Sequence, residues 1–484
     1  MNNLMIDFYE FTMGQVYFNS GKKDTIACFD LFFRKCPDNA SFVIANGVDR
    51  CLQFLENFRF TVEEIDYLRS LDTFSEDYLE YLSGIRFSGE VTAVKDGEVV
   101  FPNEPILTVK APIIEAQLVE TALLLIINHS SLITTKASRI IRAAGGRSVM
   151  EFGSRRAHGF DAANYGATCA CMAGALGTAC TLAGFSTGVK VLGTMAHSFV
   201  QSFENEYEAF NAYALTFPDN AVLLVDTYDT LRSGIPNVIR VNNEVLKPIG
   251  KSVKGIRIDS GDLAYLSKMA RNMLDDAGMY DTDICVSNSL DEYIISDLIS
   301  QGAPINSFGV GENMITSKSS PVLSGVYKLA ETIENGIITP TMKISDNVGK
   351  ITNPAEKDII RMYDARGKII TDVITLKDEV IDEYEYTLID PENTWKTKTI
   401  TNFTTKNIRD IVMIDGNRCF DSVPLEISQK FLREELNTLW EENLRLTNPQ
   451  TFIISLSSGL MDLKNEILHK HKNFKANYEE ILCK

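Results

Sequence analysis

The chain has 484 residues, 45% of them hydrophobic and 23% charged, and a formal net charge of −18. That length suits two or three globular domains, and the acidic balance argues against nucleic acid as a partner, since phosphate-backbone affinity rests on clustered Lys and Arg. No run of about 18 apolar residues predicts a membrane span, and Met1 to Asp7 lack the basic stretch and apolar core of a signal peptide.

Residues 1–130 read as a mixed α and β domain. Positions 25–33 are β-like, 67–71 and 78–82 suit short amphipathic helices, and 90–94, 98–101 and 105–109 form a strand-rich patch broken by Asp96-Gly97 and Pro102. From Glu115 to about Asn128 the apolar residues recur at helical spacing. Residues 131–335 change pattern: apolar runs at 148–152, 189–192, 221–225, 254–258, 283–286 and 308–310 alternate with helical stretches, including a small-residue helix from Ala167 to Gly184. Repeated βα units imply a parallel sheet, and six strands in so short a segment favour an irregular α/β barrel. Residues 336–484 are first β-rich and polar (336–338, 342–344 and 359–362), then helical and charged from about 425. The nine cysteines form no CxxC pair and match no zinc spacing, so they read as reduced thiols of a cytoplasmic protein.

In such a sheet the chemistry gathers at the carboxyl ends of the strands. His197, one of five histidines, follows the run 189–192 in Gly193-Thr194-Met195-Ala196-His197-Ser198. A lone histidine is often a core residue, but the turn-forming flank and the hydroxyl of Ser198 favour a working imidazole. Asp226 ends the next run and is expected beside His197, holding one ring nitrogen and leaving the other free as a nucleophile. Arg155 and Arg156 follow Phe152-Gly153-Ser154, where an arginine fork suits a carboxylate or phosphate. Arg257 and Asp259, two apart, point to one side of a strand, a costly arrangement unless it binds something. Gly309 and Gly311 sit in a late βα loop, the usual phosphate position. Asp262 reads as the cap of the next helix, and Ser289 to Glu292 as a capping box.

Taken together these segments resemble nicotinate phosphoribosyltransferase, a type II phosphoribosyltransferase. The resemblance rests on Asp7-Phe-Tyr-Glu-Phe-Thr-Met13, Glu151-Phe-Gly-Ser-Arg-Arg-Ala157, Gly193-Thr-Met-Ala-His-Ser198, Arg257-Ile-Asp-Ser-Gly-Asp262, Ser287-Asn-Ser-Leu-Asp-Glu292, Phe308-Gly-Val-Gly311 and Val326-Tyr-Lys-Leu329. It covers the chain to about residue 330 and is much weaker after 335. The resemblance implies a barrel beside an α+β sandwich built from the N-terminal region and part of the C-terminal region. It also implies a homodimer that converts nicotinate and phosphoribosyl diphosphate into nicotinate mononucleotide and diphosphate in NAD biosynthesis, coupled to ATP hydrolysis. By similarity His197 would take the phosphate from ATP, with Asp226 orienting it. Phe152 and a neighbouring subunit's Tyr9 would sandwich the pyridine ring. Arg155 and Arg257 would lie near carboxylate and phosphates, with Thr178 and Ser198 among the substrate contacts. Asp259 would sit by the ribose and the Mg²⁺ carried on the diphosphate, and Gly309 and Gly311 by the 5′-phosphate. In the related nicotinamide enzymes an aspartate stands where this chain has Ala179, so the acid is favoured over the amide. Other readings are the nicotinamide enzyme, the decarboxylating quinolinate enzyme, and an inactive nucleotide-binding barrel. The joint presence of His197, Asp226 and Asp259 argues against the last.

Overall fold

A computed structural model describes residues 3–345, 347–391, 393 and 395–482. The chain divides into two compact units: Met1–Ser131 with Val322–Lys484, and Leu132–Pro321.

The second unit is built on a parallel sheet. Its strands are β1 (Ser148–Glu151), β2 (Val222–Leu224), β3 (Gly255–Ile258), β4 (Asp283–Ser287) and β5 (Ser307–Val310), in the spatial order β1-β5-β4-β3-β2. Leu223, Leu224, Ile256, Ile258, Ile284, Val286, Phe308 and Val310 are all buried. That is why these segments read as continuous apolar runs: a parallel sheet is covered on both faces. Parallel single bridges from Glu151 to Thr178 and from Thr178 to Val191 carry the sheet two positions beyond β1. The run 189–192, expected as a strand, therefore contributes one bridge only. The expected helix from Ala167 to Gly184 is two helices, Phe160–Met172 and Thr181–Thr187. The interruption follows from Gly177, whose missing Cβ would stand 2.5 Å from the carbonyl oxygen of Lys190, so the bridge needs glycine there.

Helix ends follow the local chemistry. Asp262 accepts from Tyr265 N–H at 2.9 Å and starts Leu263–Asp276. The expected capping box at Ser289 is replaced by Asp291, which accepts from the N–H groups of Tyr293 and Ile294. Glu292 is withdrawn from that role by two buried cations, with Lys136 at 2.8 Å and Arg139 at 3.0 Å.

The first unit holds an antiparallel sheet ordered Ile337–Pro340, Gly325–Glu334, Ile26–Phe33, Leu107–Pro112, Glu90–Val94, Arg409–Ile414, Asn417–Arg418. The strand Gly325–Glu334 thus pairs with the N-terminal segment Ile26–Phe33, although the sequence reading grouped it with the barrel. A four-stranded sheet contains Thr404–Asn407, Lys357–Tyr363, Ile369–Leu376 and Ser455–Leu456. The segment 342–344 forms no strand. The helix expected to end near Asn128 runs on as Glu120–Ala143. The helical C-terminal region consists of Leu425–Thr438 and Ser458–Leu482. The eight described cysteines are free thiols, and Cys483 lies outside the described residues. Among the described residues no helix is long and apolar enough to cross a membrane.

One buried cation ties distant segments of this unit together. Arg361 is fully buried and pairs with Asp372 at 2.8 Å, Glu435 at 3.0 Å and Glu98. Burial pushes the Glu98 carboxyl well above its ordinary range, opposed by Arg361. Removing the cation leaves buried acids uncompensated. We expect Arg361→Met to cost about 3–5 kcal/mol at neutral pH in chemical denaturation. Glu98, left behind, titrates above its unfolded value, so the folded state binds more protons and the deficit should shrink as pH falls. A loss below about 1 kcal/mol, or one that grows on acidification, would contradict this role for Arg361.

Candidate active site

The five parallel strands deliver their following residues to one edge: Phe152 to Arg156 after β1, Asp226 and Thr227 after β2, Asp259 and Ser260 after β3, Asn288 after β4, and Gly311 to Asn313 after β5. A cavity of about 240 Å³ opens there, lined by Phe152, Arg155, Arg156, Arg257, Asp259, Ser287, Gly309, Gly311, Asn313 and Lys318 among others.

Its floor is the ring of Phe152. A Cβ on Gly309 would lie 2.6 Å from the ring, so only glycine lets the ring settle on β5. The turn that carries Phe152 is fixed by the buried carboxylate of Glu151, which accepts from Gly153 N–H and from the Thr178 hydroxyl. Burial raises the Glu151 carboxyl above its ordinary range, and these two donors oppose that. Thr178 is itself fully buried and also accepts from Cys180 N–H at 2.9 Å. This corrects its expected role: Thr178 meets Glu151 rather than the cavity. The neighbouring Ala179 is exposed.

Beside the ring, Arg257 lies with its Cζ 5.5 Å from the Phe152 centroid. It donates to Ser287 Oγ at 2.9 Å and to Asp259 Oδ1 at 3.1 Å, and Ser287 also donates to Asp259. Asp259 is thereby oriented by charge-assisted bonds with its second oxygen left free. That oxygen stands 3.8 Å from His197 Nε2.

The imidazole partners differ from those expected. His197 opens the short helix His197–Gln201 rather than capping a strand, and its Nδ1 faces Thr227 Oγ1 at 3.1 Å. Asp226 turns instead to the loop after β3, accepting from Asp259 N–H at 3.1 Å and Ser260 Oγ at 2.6 Å. Consecutive residues of extended chain project to opposite sides, so adjacent Asp226 and Thr227 serve different neighbours. The other oxygen of Asp226 is buried without a hydrogen-bond partner.

Of the remaining predicted residues, Arg155 and Arg156 are both exposed on the cavity wall. Arg156 stands 3.8 Å from Glu312, which Lys318 engages at 2.6 Å, whereas Arg155 has no carboxylate partner among the described residues. Ser198 is exposed and its hydroxyl makes no described bond; it is not in the cavity lining. Gly311 approaches the Phe152 backbone, where a Cβ would sit 3.1 Å from the carbonyl oxygen. Tyr9 belongs to the first unit, on the helix Phe8–Asn19. It is 45% exposed, and its phenol hydrogen-bonds with Glu120 and is held protonated by burial and nearby acids. Thr227, Ser287 and Glu151 stand in segments that the sequence marked out, but it gave none of them a role; that of Glu151 depends on Thr178, 27 residues away. Among the described residues no three metal-binding side chains converge.

Comparison with known proteins supplies independent constraints. Residues 4–128 match the model of the nicotinate phosphoribosyltransferase (NAPRTase) N-terminal domain, and residues 356–464 that of the nicotinate phosphoribosyltransferase C-terminal domain. The region after 335, where few motifs stood out, is thus matched as well. Nicotinate phosphoribosyltransferase of Bacillus subtilis is 41% identical over 97% of this chain and 96% of its own length. That of Dictyostelium discoideum is 32% identical over 95% and 87%. The crystal structure of human nicotinic acid phosphoribosyltransferase is similar with a TM-score of 0.86 at 28% identity, covering 96% of this chain and all of that one.

The seating of the ring gives a direct test. Gly309→Ala should fold but lose about 1–3 kcal/mol, with the Phe152 ring resonances shifted in aromatic NMR spectra. Unchanged stability and ring resonances would show that Phe152 does not rest on β5.

Proposed function

The chain belongs to the nicotinate phosphoribosyltransferase family, and from that premise we propose that it joins nicotinate to the ribosyl group of phosphoribosyl diphosphate, in NAD biosynthesis. The observation that carries this reading is the union of an aromatic ring, an exposed arginine without a carboxylate partner among the described residues and an oriented acid around one cavity. Phe152 supports the flat ring. Arg155, unpaired and exposed, suits an anionic group, the nicotinate carboxylate or a phosphate. Gly309 and Gly311, both in the cavity lining, are read as lying by the 5′-phosphate. Ala179 is exposed and carries no charge to repel a carboxylate.

In the reaction the pyridine nitrogen bonds to the anomeric carbon as the bond from that carbon to diphosphate breaks, and the electron pair leaves on the diphosphate oxygen. Positive charge grows on the ribose. Asp259, held by Arg257 and Ser287, has one carboxylate oxygen free to face that charge. Mg²⁺ would neutralise the leaving diphosphate when bound. The acids present fit an ion carried by substrate rather than a closed protein cage; the unpartnered oxygen of Asp226 and the second oxygen of Asp259 would help to hold it.

His197 is read as the acceptor of phosphate from ATP. Thr227 fixes one face of the ring through Nδ1, and Asp226 acts through the Asp259–Ser260 loop instead of through the imidazole. A phosphate there adds negative charge beside the diphosphate site, which links ATP hydrolysis to ribosyl transfer. We read the five strands with the bridges at Thr178 and Val191 as an irregular barrel. The exposed Phe160 (91%) and Phe185 (90%) support a homodimer in which Tyr9 of the partner subunit closes over the ring. Reduced thiols and the absence of any described membrane-length helix are in keeping with a cytoplasmic enzyme.

Purified protein should convert nicotinate and not nicotinamide, faster with ATP than without. Turnover of nicotinamide alone would reverse the substrate assignment. Asp259→Asn should lower kcat by roughly 10²–10³ while thermal stability is retained. Near-normal kcat would remove Asp259 from the reaction.

A further inference from the structure

The cavity in the first unit lies apart in chemistry from the site above. It measures about 430 Å³ and shares no residue with the cavity on Phe152. Asp30 and Lys328 reach it from the seven-stranded sheet, Ile374 and Leu456 from the four-stranded sheet, and Met461 and Lys464 from the helix Ser458–Leu482. The volume suits a small organic molecule, and the walls are mostly aliphatic.

The charges in it do not balance. Lys357 is spent: it pairs with Asp30 at 2.7 Å and donates to the backbone carbonyls of Asn353, Pro354 and Ala355. The Lys464 ammonium donates only to the neutral amide of Asn353 at 2.8 Å, and that of Lys328 to the carbonyl of Tyr327 at 2.7 Å. Neither has a carboxylate within ion-pair reach among the described residues. Burial lowers the pKa of both; Glu120 opposes this for Lys328, and Lys357 lowers that of Lys464 further. Beside the Lys357–Asp30 pair, the Lys464 ammonium therefore stands without a carboxylate of its own among the described residues, in a largely apolar space, whereas Lys328 is influenced by Glu120. Long lysine stems commonly cross apolar surface to reach water. Here the Lys464 head lines a part-buried cavity, where an anion would be worth more than on the open surface.

We infer that this cavity is a binding site for an amphipathic organic anion, a carboxylate or phosphate head on an apolar body. The head would sit on Lys464, and the body against Ile374, Leu456 and Met461.

The test is calorimetric titration of the full-length protein with sodium octanoate and octyl phosphate, with octan-1-ol and inorganic phosphate as controls lacking one half of the ligand. At least one amphipathic anion should bind measurably more tightly than either control; which one binds assigns the head group. Lys464→Met should weaken that binding by about tenfold or more. Met461→Trp, which fills the cavity without touching the charges, should abolish it while thermal stability is kept. Absence of binding by both anions, equal binding by both variants and wild type, or displacement of the bound anion by nicotinate would each overturn the assignment.

Discussion

A parallel sheet has one polar consequence that no side chain can undo: every strand ends on the same edge. In this protein the interiors of β1 to β5 are mostly buried and apolar, and most polar residues gather at the strand ends, with Arg257 of β3 reaching the cavity beside them. The rim therefore collects Phe152, Arg155, Asp226, Thr227, Asp259 and Gly311 from segments spread across some 160 residues of chain. The site depends on that geometry first and on the identity of each residue second.

Within the rim the acids are organised by neighbours rather than by partners in reaction. Asp226 holds the backbone and hydroxyl of the loop after β3, and that loop presents Asp259. Arg257 and Ser287 fix one oxygen of Asp259 and leave the other free. Glu151 performs the same service for Phe152 from beneath, as a buried carboxylate shared between Gly153 N–H and Thr178. Three carboxylates thus have three tasks, separated by burial and donor number. Asp259 faces the reacting ribose in our account, and the other two shape its surroundings.

Much of this was legible in the sequence because it follows from local rules. The strand ends, the cap at Asp262 and the grouping of Gly309 with Gly311 need only periodicity, turn chemistry and sheet direction. What was not legible depends on which way a side chain turns once the chain is folded. Asp226 was assigned to His197 because it is the acid at the end of the neighbouring run; one residue of alternation hands the imidazole to Thr227 instead. Thr178 looked available and is buried, since its bridge to Glu151 is a long-range contact with no periodic signature. The run 189–192 has strand composition yet makes one bridge, which rests on the close approach of Gly177 to Lys190, 13 residues away, and has no periodic signature. Likewise Gly325–Glu334 joins the N-terminal sheet through pairing with Ile26–Phe33, which no local pattern announces.

The central claim is that His197, held by Thr227 and standing before Asp259, accepts phosphate from ATP to serve ribosyl transfer. Incubation with γ-labelled ATP and Mg²⁺, followed by denaturation, tests it most directly. The account predicts an acid-labile, base-stable label on the wild-type chain that is absent from His197→Ala. A wild-type chain that takes no such label, or a label that persists in His197→Ala, would contradict it.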